Sequence, residues 1–258
     1  MKVNSGKNNI QNNMIRLGVD ATGVSITNAM ALYGIYDNIG TNNYYHNSIY
    51  IGGAGVTNTS YSYSFYSGVT TNTRAFQNNI FVNNRSYSSA GSAYNVAYCI
   101  SSAASLGTIS GLTSNYNIFY ANGTGGIAVR NGSTNYTLRQ WRDANYTLNQ
   151  DINSGYGDPN FANSTTDISA TPTTYALKVS GTTLAEASGF LIASITDDIE
   201  GNTRSSLTPT DIGADAGDYT ASDIFTPTFV YTNLTNTSST SNRILSVSIS
   251  DIGTGVPT

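Results

Sequence analysis

A short phrase of alternating apolar and polar residues recurs along the first half of the chain. Each copy centres on an isoleucine with an aromatic or aliphatic neighbour: Ile15, Ile49, Ile80 and Ile118. Successive copies are 34, 31 and 38 residues apart. A strand-like phrase that returns at an irregular period of this size predicts the stacked coils of a solenoid.

Strand alternation assigns a direction to each side chain of this phrase, because successive side chains of a strand point to opposite faces. If the isoleucines point inward, so do the residues two positions before them, which include Asn13, Asn47 and Asn78. Stacked inward asparagines can bond their amides to one another and to turn backbone, as in a ladder of parallel strands. The pattern therefore predicts an asparagine ladder, with its asparagines at a corner of each coil.

A second apolar phrase lies between successive isoleucine strands. Its copies are the segments 31–36, 63–66, 96–100 and 127–129. Two or three strands per coil, joined by polar loops of uneven length, predict an all-β fold, a right-handed parallel β-helix over residues 1–130. Composition agrees, since 39% of residues are hydrophobic, only 10% are charged, and turn and strand formers make up the difference.

After residue 130 the pattern changes. The segment 138–142 is the one convincing helical turn, and it contains the single tryptophan, Trp141. Solenoids need capping elements because their last coil has an unpaired edge, so residues 131–220 are predicted to form the final coils and a C-terminal cap. Residues 221–258 end in an alternating stretch and are interpreted as a linker and the opening strands of a truncated β-sandwich module.

Four short phrases of the cap region resemble a known family. They contain Trp141, then Asp158, Pro159 and Phe161, then Asp198, Gly201 and Arg204, then Asp211, Ile212, Gly213 and Ala214. In this order they resemble bacterial surface proteins with a pectate-lyase-like right-handed parallel β-helix, of the adhesin kind exported by the type IX pathway. Two positions depart from the family pattern, Glu200 and Ala216.

The resemblance implies a secreted or cell-surface location and further domains of the same, longer chain, including an immunoglobulin-like module that begins in the tail. The start of the sequence has no apolar signal segment, so we expect it to be cut from that longer protein. Eleven Lys and Arg scattered among fifteen acids argue against a nucleic-acid partner. No run approaches the ~20 apolar residues of a membrane span. The single cysteine, Cys99, excludes internal disulfides and multi-cysteine zinc clusters and is expected in the core.

An outward aromatic row is the leading candidate for ligand binding. The residues directly after three of the aligned isoleucines are Tyr50, Phe81 and Phe119. Rings stacked on one face could bind the sugar rings of a polysaccharide or cell-surface glycan. The alternative is that a loop, such as 52–60 or 84–92, covers the row, since large apolar strips rarely stay bare.

These observations favour a non-enzymatic module: an adhesin, a carbohydrate-binding module or a structural spacer. The alternative is a polysaccharide lyase of the pectate-lyase-like type, whose weak catalytic candidates are His46, Arg16 and Arg85. Only two acids, Asp20 and Asp37, occur among the coils, which argues against catalysis. No cofactor is expected apart from a possible calcium ion, for which the weak candidate ligands are Asp197, Asp198, Glu200 and Asp211. The alternative role of these acids is to pair with Arg204.

Overall fold

Three parallel sheets stack the chain into a β-solenoid of about four turns. The structure is a computed structural model, and it describes residues 1–57, 60–89, 91–101, 109–145, 148–164, 177–207, 210–222 and 228–250. Each coil contributes one strand to each sheet, and each strand pairs in parallel with the corresponding strand of the next coil. The predicted parallel β-helix is therefore confirmed, with three strands per coil.

The strands of the three sheets are short. Sheet A contains β1 (Lys2–Val3), β4 (Leu32–Asp37), β7 (Ser62–Ser67), β10 (Asn95–Ile100), β13 (Gly126–Asn131) and β14 (Thr134–Tyr136). Sheet B contains β2 (Asn9–Gln11), β5 (Asn43–Tyr45), β8 (Arg74–Gln77) and β11 (Leu112–Asn115). Sheet C contains β3 (Met14–Leu17), β6 (Ser48–Ile51), β9 (Ile80–Asn83), β12 (Ile118–Tyr120) and β15 (Gly155–Tyr156). Within these three sheets β14 runs antiparallel to its neighbour β13, and the other described strand pairs are parallel.

The asparagine ladder is confirmed at the corner that precedes sheet C, but its third member is Asn79 rather than Asn78, and Asn117 adds a fourth. Its residues are Asn13, Asn47, Asn79 and Asn117, whose amides bond in sequence from Nδ2 to Oδ1 at 2.8, 2.9 and 3.0 Å. Each Oδ1 also accepts the main-chain N–H of the preceding ladder residue, at 3.2, 3.1 and 3.0 Å. The ladder thus satisfies buried polar groups of both side chain and backbone at every corner.

The predicted alignment on isoleucine is wrong between the second and third coils. Ile15 pairs with Ile49 as expected, but Ile49 pairs with Phe81 rather than Ile80. The corner fixes this register. The residue before each ladder asparagine adopts a left-handed backbone, with φ of 54° at Asn12, 51° at His46, 58° at Asn78 and 56° at Tyr116. Asn78 is therefore a corner residue, and the ladder position falls on Asn79.

Inward side chains of the three sheets meet in one core. Its large members include Ile35, Phe65 and Tyr98 from sheet A, Tyr44 and Phe76 from sheet B, and Ile49, Phe81 and Phe119 from sheet C. Ring centroids within it lie 4.6–6.2 Å apart. These contacts bury the apolar surface that stabilises the stack.

The C-terminal end of this core is closed by helix α1 (Leu138–Ala144). A capping box begins the helix, in which Thr137 and Gln140 each bond the other's backbone N–H. Leu138 and Trp141 pack into the core, and the Trp141 Nε1–H donates to Asp151 Oδ2 at 2.8 Å. The predicted helical turn therefore caps the solenoid. With seven residues it is also far shorter than a membrane span, and no other helix in the described ranges is long and apolar enough to be one.

Residues 177–207 and 210–221, which we call the lateral segment, do not lie over this end as expected. They run along the outer face of sheet C. The Asn12 Nδ2 amide donates to Asp197 O, Ala214 N donates to Ser48 Oγ at 3.0 Å, and Gly213 N donates to Asn78 O at 2.9 Å. The segment thereby contacts the first, second and third coils. It contains β16 (Thr182–Thr183), β17 (Thr220–Ala221) and a 3-10 turn (Arg204–Ser206).

Residues 222–258 form a separate unit. Its described part is a hairpin of β18 (Thr228–Tyr231) and β19 (Val247–Ser250), which pair antiparallel. Two strands are what the start of a β-sandwich would provide, and the immunoglobulin-like module stays a prediction. Positions 223–227 and 251–258 of the predicted tail lie outside the described residues.

Candidate functional site

The aromatic row predicted on sheet C is not a surface. Phe81 and Phe119 are fully buried in the core, and Tyr50 is only 5% exposed. The two phenylalanines point inward because the corner shifts their strand by one residue. The outward row consists of Tyr50, Ile80, Val82 and Ile118, and it packs against Leu177, Val179, Leu184, Ala185 and Ile212 of the lateral segment. The expectation of exposed rings at Tyr50, Phe81 and Phe119 is therefore wrong: the two phenylalanines lie in the core, and Tyr50 is covered as in the alternative, but by described residues of the lateral segment, which neither named loop includes.

The weak catalytic candidates are held in separate structural networks. His46 is 1% exposed, its Nε2 lies 2.9 Å from Asn78 Nδ2, and burial lowers its pKa to about 3, assisted by the charge of Arg204. Arg85 is buried and donates to Asn28 O at 2.9 Å. Arg16 donates to Asp20 O. Because His46 and Arg85 are buried and the three residues have separate partners, this arrangement offers no evidence for a lyase site.

The acidic candidates divide into two groups in the lateral segment. Asp198 and Glu200 lie together with Asp215, with one carboxylate oxygen of each within 4.8 Å of the others, whereas Asp197 and Asp211 lie outside this cluster. A cation already faces it, because Lys178 Nζ is 2.8 Å from Glu200 Oε2 and 4.0 Å from Asp215 Oδ1. The ammonium group supplies the positive charge that calcium would bring, and calcium binding here stays a prediction.

Arg204 fixes the lateral segment through main-chain oxygens and Asn12, and the described ion pairs do not include the pairing with an acid that the alternative interpretation expected. Its Nη2 donates to Gly213 O at 2.9 Å and to Ala214 O at 3.1 Å, and also to Asn12 Oδ1 at 3.0 Å. The guanidinium is buried. It therefore joins the cap phrases that resemble the family to the first coil of the solenoid.

A different aromatic surface lies on the outer face of sheet A. Strand pairing places Tyr33 beside Tyr63 and Tyr36 beside Tyr66. Two further tyrosines flank them where β7 and β10 begin, so that the set comprises Tyr33, Tyr36, Tyr61, Tyr63, Tyr66 and Tyr94. We call this set the tyrosine face. Tyr63 is nearly buried and the other five are half-buried.

The rings of the tyrosine face hold one another in place. Tyr33 and Tyr63 stack at 5.2 Å with 23° between their planes, and Tyr61 stacks on Tyr63 at 5.8 Å with 5° between planes. Tyr66 stands perpendicular to this stack, 5.6 Å from Tyr33 and 4.9 Å from Tyr36. Offset-stacked and edge-to-face contacts are the favoured geometries of aromatic pairs. The array is therefore rigid before any ligand arrives.

Two cations border the tyrosine face. The Arg130 guanidinium lies 5.4 Å from the ring centroids of both Tyr61 and Tyr94, and Lys2 Nζ lies 5.1 Å from that of Tyr36. Burial raises the pKa values of Tyr33, Tyr63 and Tyr66 above their ordinary value, so their hydroxyl groups stay protonated at neutral pH. The surface thus combines aromatic rings, hydroxyl donors and positive charge.

The spacing of tyrosines in the sequence could have predicted this face. Tyr33 and Tyr36, like Tyr63 and Tyr66, are three residues apart, and strict alternation would send such a pair to opposite sides. A small residue resolves the conflict: a Cβ on Gly34 would lie 2.4 Å from Ile49 Cγ2, and Ser64 Oγ donates to Val82 O at 2.6 Å. Both small residues point inward at a bend and reset the parity of the strand.

Comparison of the chain with protein-family models, with curated proteins and with solved structures gives no match. The function is therefore argued from the geometry of the tyrosine face.

Proposed function

We propose that this chain is an extracellular β-solenoid module of a bacterial surface protein that binds polysaccharide through the tyrosine face. The observation that carries the proposal is the array of six tyrosines on one outer face of the coils, bordered by Arg130 and Lys2. An adhesin or carbohydrate-binding role of the longer protein follows from such binding. The pectate-lyase-like architecture and export by the type IX pathway remain part of this proposal and rest on the cap phrases.

The chemistry of the face suits sugar. Tyrosine presents a large apolar ring and a hydroxyl group at its tip, and it loses little side-chain entropy on binding because it has few rotatable bonds. In the tyrosine face this cost is lower still, since the rings of Tyr33, Tyr63 and Tyr66 are already fixed by mutual contacts. Pyranose rings have apolar faces and hydroxyl rims, which complement both parts of the side chain.

The repeat of the solenoid suits a polymer. Tyr33 and Tyr63 occupy equivalent positions on adjacent strands, and adjacent strands are ~4.8 Å apart. This step is close to the length of one sugar residue in an extended polysaccharide. A chain lying across β4 and β7 would therefore meet a tyrosine at the same position of each strand, with Val96 of the next strand fully buried.

The charges beside the tyrosine face restrict the class of polysaccharide that it would bind. The two outward columns of sheet A run through Tyr33, Tyr63, Val96 and Ile127 and through Tyr36, Tyr66, Cys99 and Arg130. None of these residues is acidic, while Arg130 and Lys2 are basic. The face therefore favours neutral or acidic polysaccharides over basic ones.

The test is affinity electrophoresis in gels that contain homogalacturonan, alginate, xylan, mannan or chondroitin sulfate. The intact protein is compared with the double variant Tyr33→Ala/Tyr66→Ala and with Tyr231→Ala, an exposed tyrosine of the separate C-terminal unit. We expect at least one polysaccharide to retard the wild type and Tyr231→Ala, with retardation largely lost in the double variant. A wild type that no polysaccharide retards, or a double variant retarded equally, would overturn the proposal.

A further inference from the structure

A cavity of about 510 Å³ opens at the C-terminal end of sheet A, beside the tyrosine face. It lies between β13, β14, the start of α1 and Tyr156 of β15. Its volume falls within the range of small-molecule sites, and its lining is mostly apolar with a few polar groups, as such sites usually are. We propose that this cavity binds the terminal sugar residue of the polysaccharide, which rests on the proposed function of the tyrosine face.

Ile127 joins the two sites. Its side chain packs against the cluster of the tyrosine face, and it also lines the cavity. In register it follows Tyr33, Tyr63 and Val96 along one outward column. Val96 of this column is fully buried, so a polysaccharide would pass from the tyrosine face to the cavity by way of Arg130, which lies 5.4 Å from the Tyr61 and Tyr94 ring centroids and bonds Asn135 at the cavity.

An aromatic platform is present in the cavity. Tyr156 is 41% exposed, more than any other tyrosine in the described part of the solenoid unit. Its hydroxyl group donates to Ala121 O at 3.0 Å. Its ring also contacts that of Tyr120, at 5.8 Å between centroids. The ring is therefore held in place at its tip and on one side while much of its surface remains open to a ligand. Exposed, fixed rings of this kind are suited to stacking against sugar.

Polar groups also line the cavity. Gln140 is one of them, and because its Oε1 accepts the Thr137 N–H at 2.9 Å, its Nε2 amide group is the donor that this side chain could offer a ligand. Asn135 also lines the cavity and is oriented by a hydrogen bond from Arg130. Because Arg130 also contacts the tyrosine face, this hydrogen bond links the cavity to the face. One apolar platform and a few oriented amides provide what recognition of a single sugar residue requires.

The test uses free monosaccharides, which can occupy an end cavity without spanning the tyrosine face. Saturation-transfer NMR is recorded with glucose, galactose, mannose, N-acetylglucosamine and galacturonate. We expect transfer to at least one sugar with the wild type, with Tyr156→Phe, which keeps the ring, and with Tyr231→Ala, an exposed tyrosine of the separate C-terminal unit. Transfer should fall to background with Tyr156→Ala, and it should weaken with Gln140→Glu, which keeps the capping acceptor but removes the amide donor.

Three results would overturn the inference: no transfer to any of these sugars from the wild type, transfer that persists in Tyr156→Ala, or transfer that Tyr231→Ala removes equally. Thermal unfolding of each variant establishes that it is folded, and truncation of the exposed Tyr156 ring should disturb the fold little. A positive cavity result with a blank polysaccharide panel would overturn the proposed function of the tyrosine face alone. A positive panel with a negative cavity result would overturn the cavity alone.

Discussion

Removing one ladder asparagine should destabilise the whole solenoid. Asn79 is fully buried, and its side chain makes five hydrogen bonds. Its Oδ1 accepts from the N–H and the Nδ2 of Asn47, at 3.1 and 2.9 Å. Its Nδ2 donates to Asn117 Oδ1 at 3.0 Å and to two main-chain oxygens of sheet B. Asn79→Ala removes all of these partners at once without opening a path for water.

The magnitude follows from the groups left unpaired. Each buried donor or acceptor without a partner costs ~1–3 kcal/mol, and the Asn47 N–H and at least one further group lose theirs. We therefore expect Asn79→Ala to lower the free energy of unfolding by about 3–5 kcal/mol. The matched control is Asn122→Ala at an exposed position just after β12, at the opposite end of sheet C, which should change it by less than ~0.5 kcal/mol.

The assay is urea unfolding followed by circular dichroism and by the fluorescence of Trp141, which is the only tryptophan and lies fully buried at the C-terminal end of the core. Both signals should shift together, because the ladder joins the first coil to the fourth. If Asn79→Ala and Asn122→Ala unfold at the same urea concentration, the ladder does not stabilise the fold and the reasoning is refuted.

Two further predictions concern buried polar groups. Burial lowers the folded pKa of His46 from 6.5 to about 3, so the stability that its neutral form contributes is complete above pH ~6.5 and falls by ~1.4 kcal/mol per pH unit below it. His46→Asn, which suits the left-handed corner, should therefore lose less stability than the wild type between pH 7 and 4.5 in thermal unfolding; an equal loss would contradict this. The comparison uses the difference in stability between the wild type and His46→Asn. Protonation of Asp211, whose pKa is raised to about 6, stabilises both folded proteins as the pH falls and so cancels in that difference. Trp141→Phe removes the Nε1–H donor to the buried Asp151 carboxylate and should cost about 2–4 kcal/mol by circular dichroism; an unchanged transition would show that α1 does not stabilise the end of the core.

Much of the solenoid could be predicted from the sequence because its physics is periodic. The strand phrase, the asparagine ladder and the helical cap at Trp141 each depend on local patterns that the parallel stack repeats. The register could not be predicted from the isoleucines alone. It depends on which residue of each corner adopts positive φ, and at the third coil two adjacent asparagines, Asn78 and Asn79, both suit that position.

The site was harder to predict for two physical reasons. Alternation assigns a face only while a strand is straight, and the bends at Gly34 and Ser64 turn the tyrosines of sheet A outward in pairs. The path of the lateral segment was the second obstacle. Its phrases indicated a cap, but only the hydrogen bonds from Gly213 and Ala214 to the second and third coils show that it covers sheet C. Once sheet C is covered, the aromatic surface of sheet A remains for a ligand.

The most direct test of polysaccharide binding by the tyrosine face is the NMR spectrum of protein labelled with ¹³C in its tyrosine rings, recorded with soluble oligosaccharides from each polysaccharide of the electrophoresis panel. The chain contains 19 tyrosines, so the signals outside the face serve as internal controls. We predict that one oligosaccharide series shifts the ring signals of Tyr33, Tyr36, Tyr61, Tyr66 and Tyr94, while those of Tyr44 and Tyr98 in the core stay fixed. Shifts confined to tyrosines outside the tyrosine face, or no shifts with any series, would contradict the account.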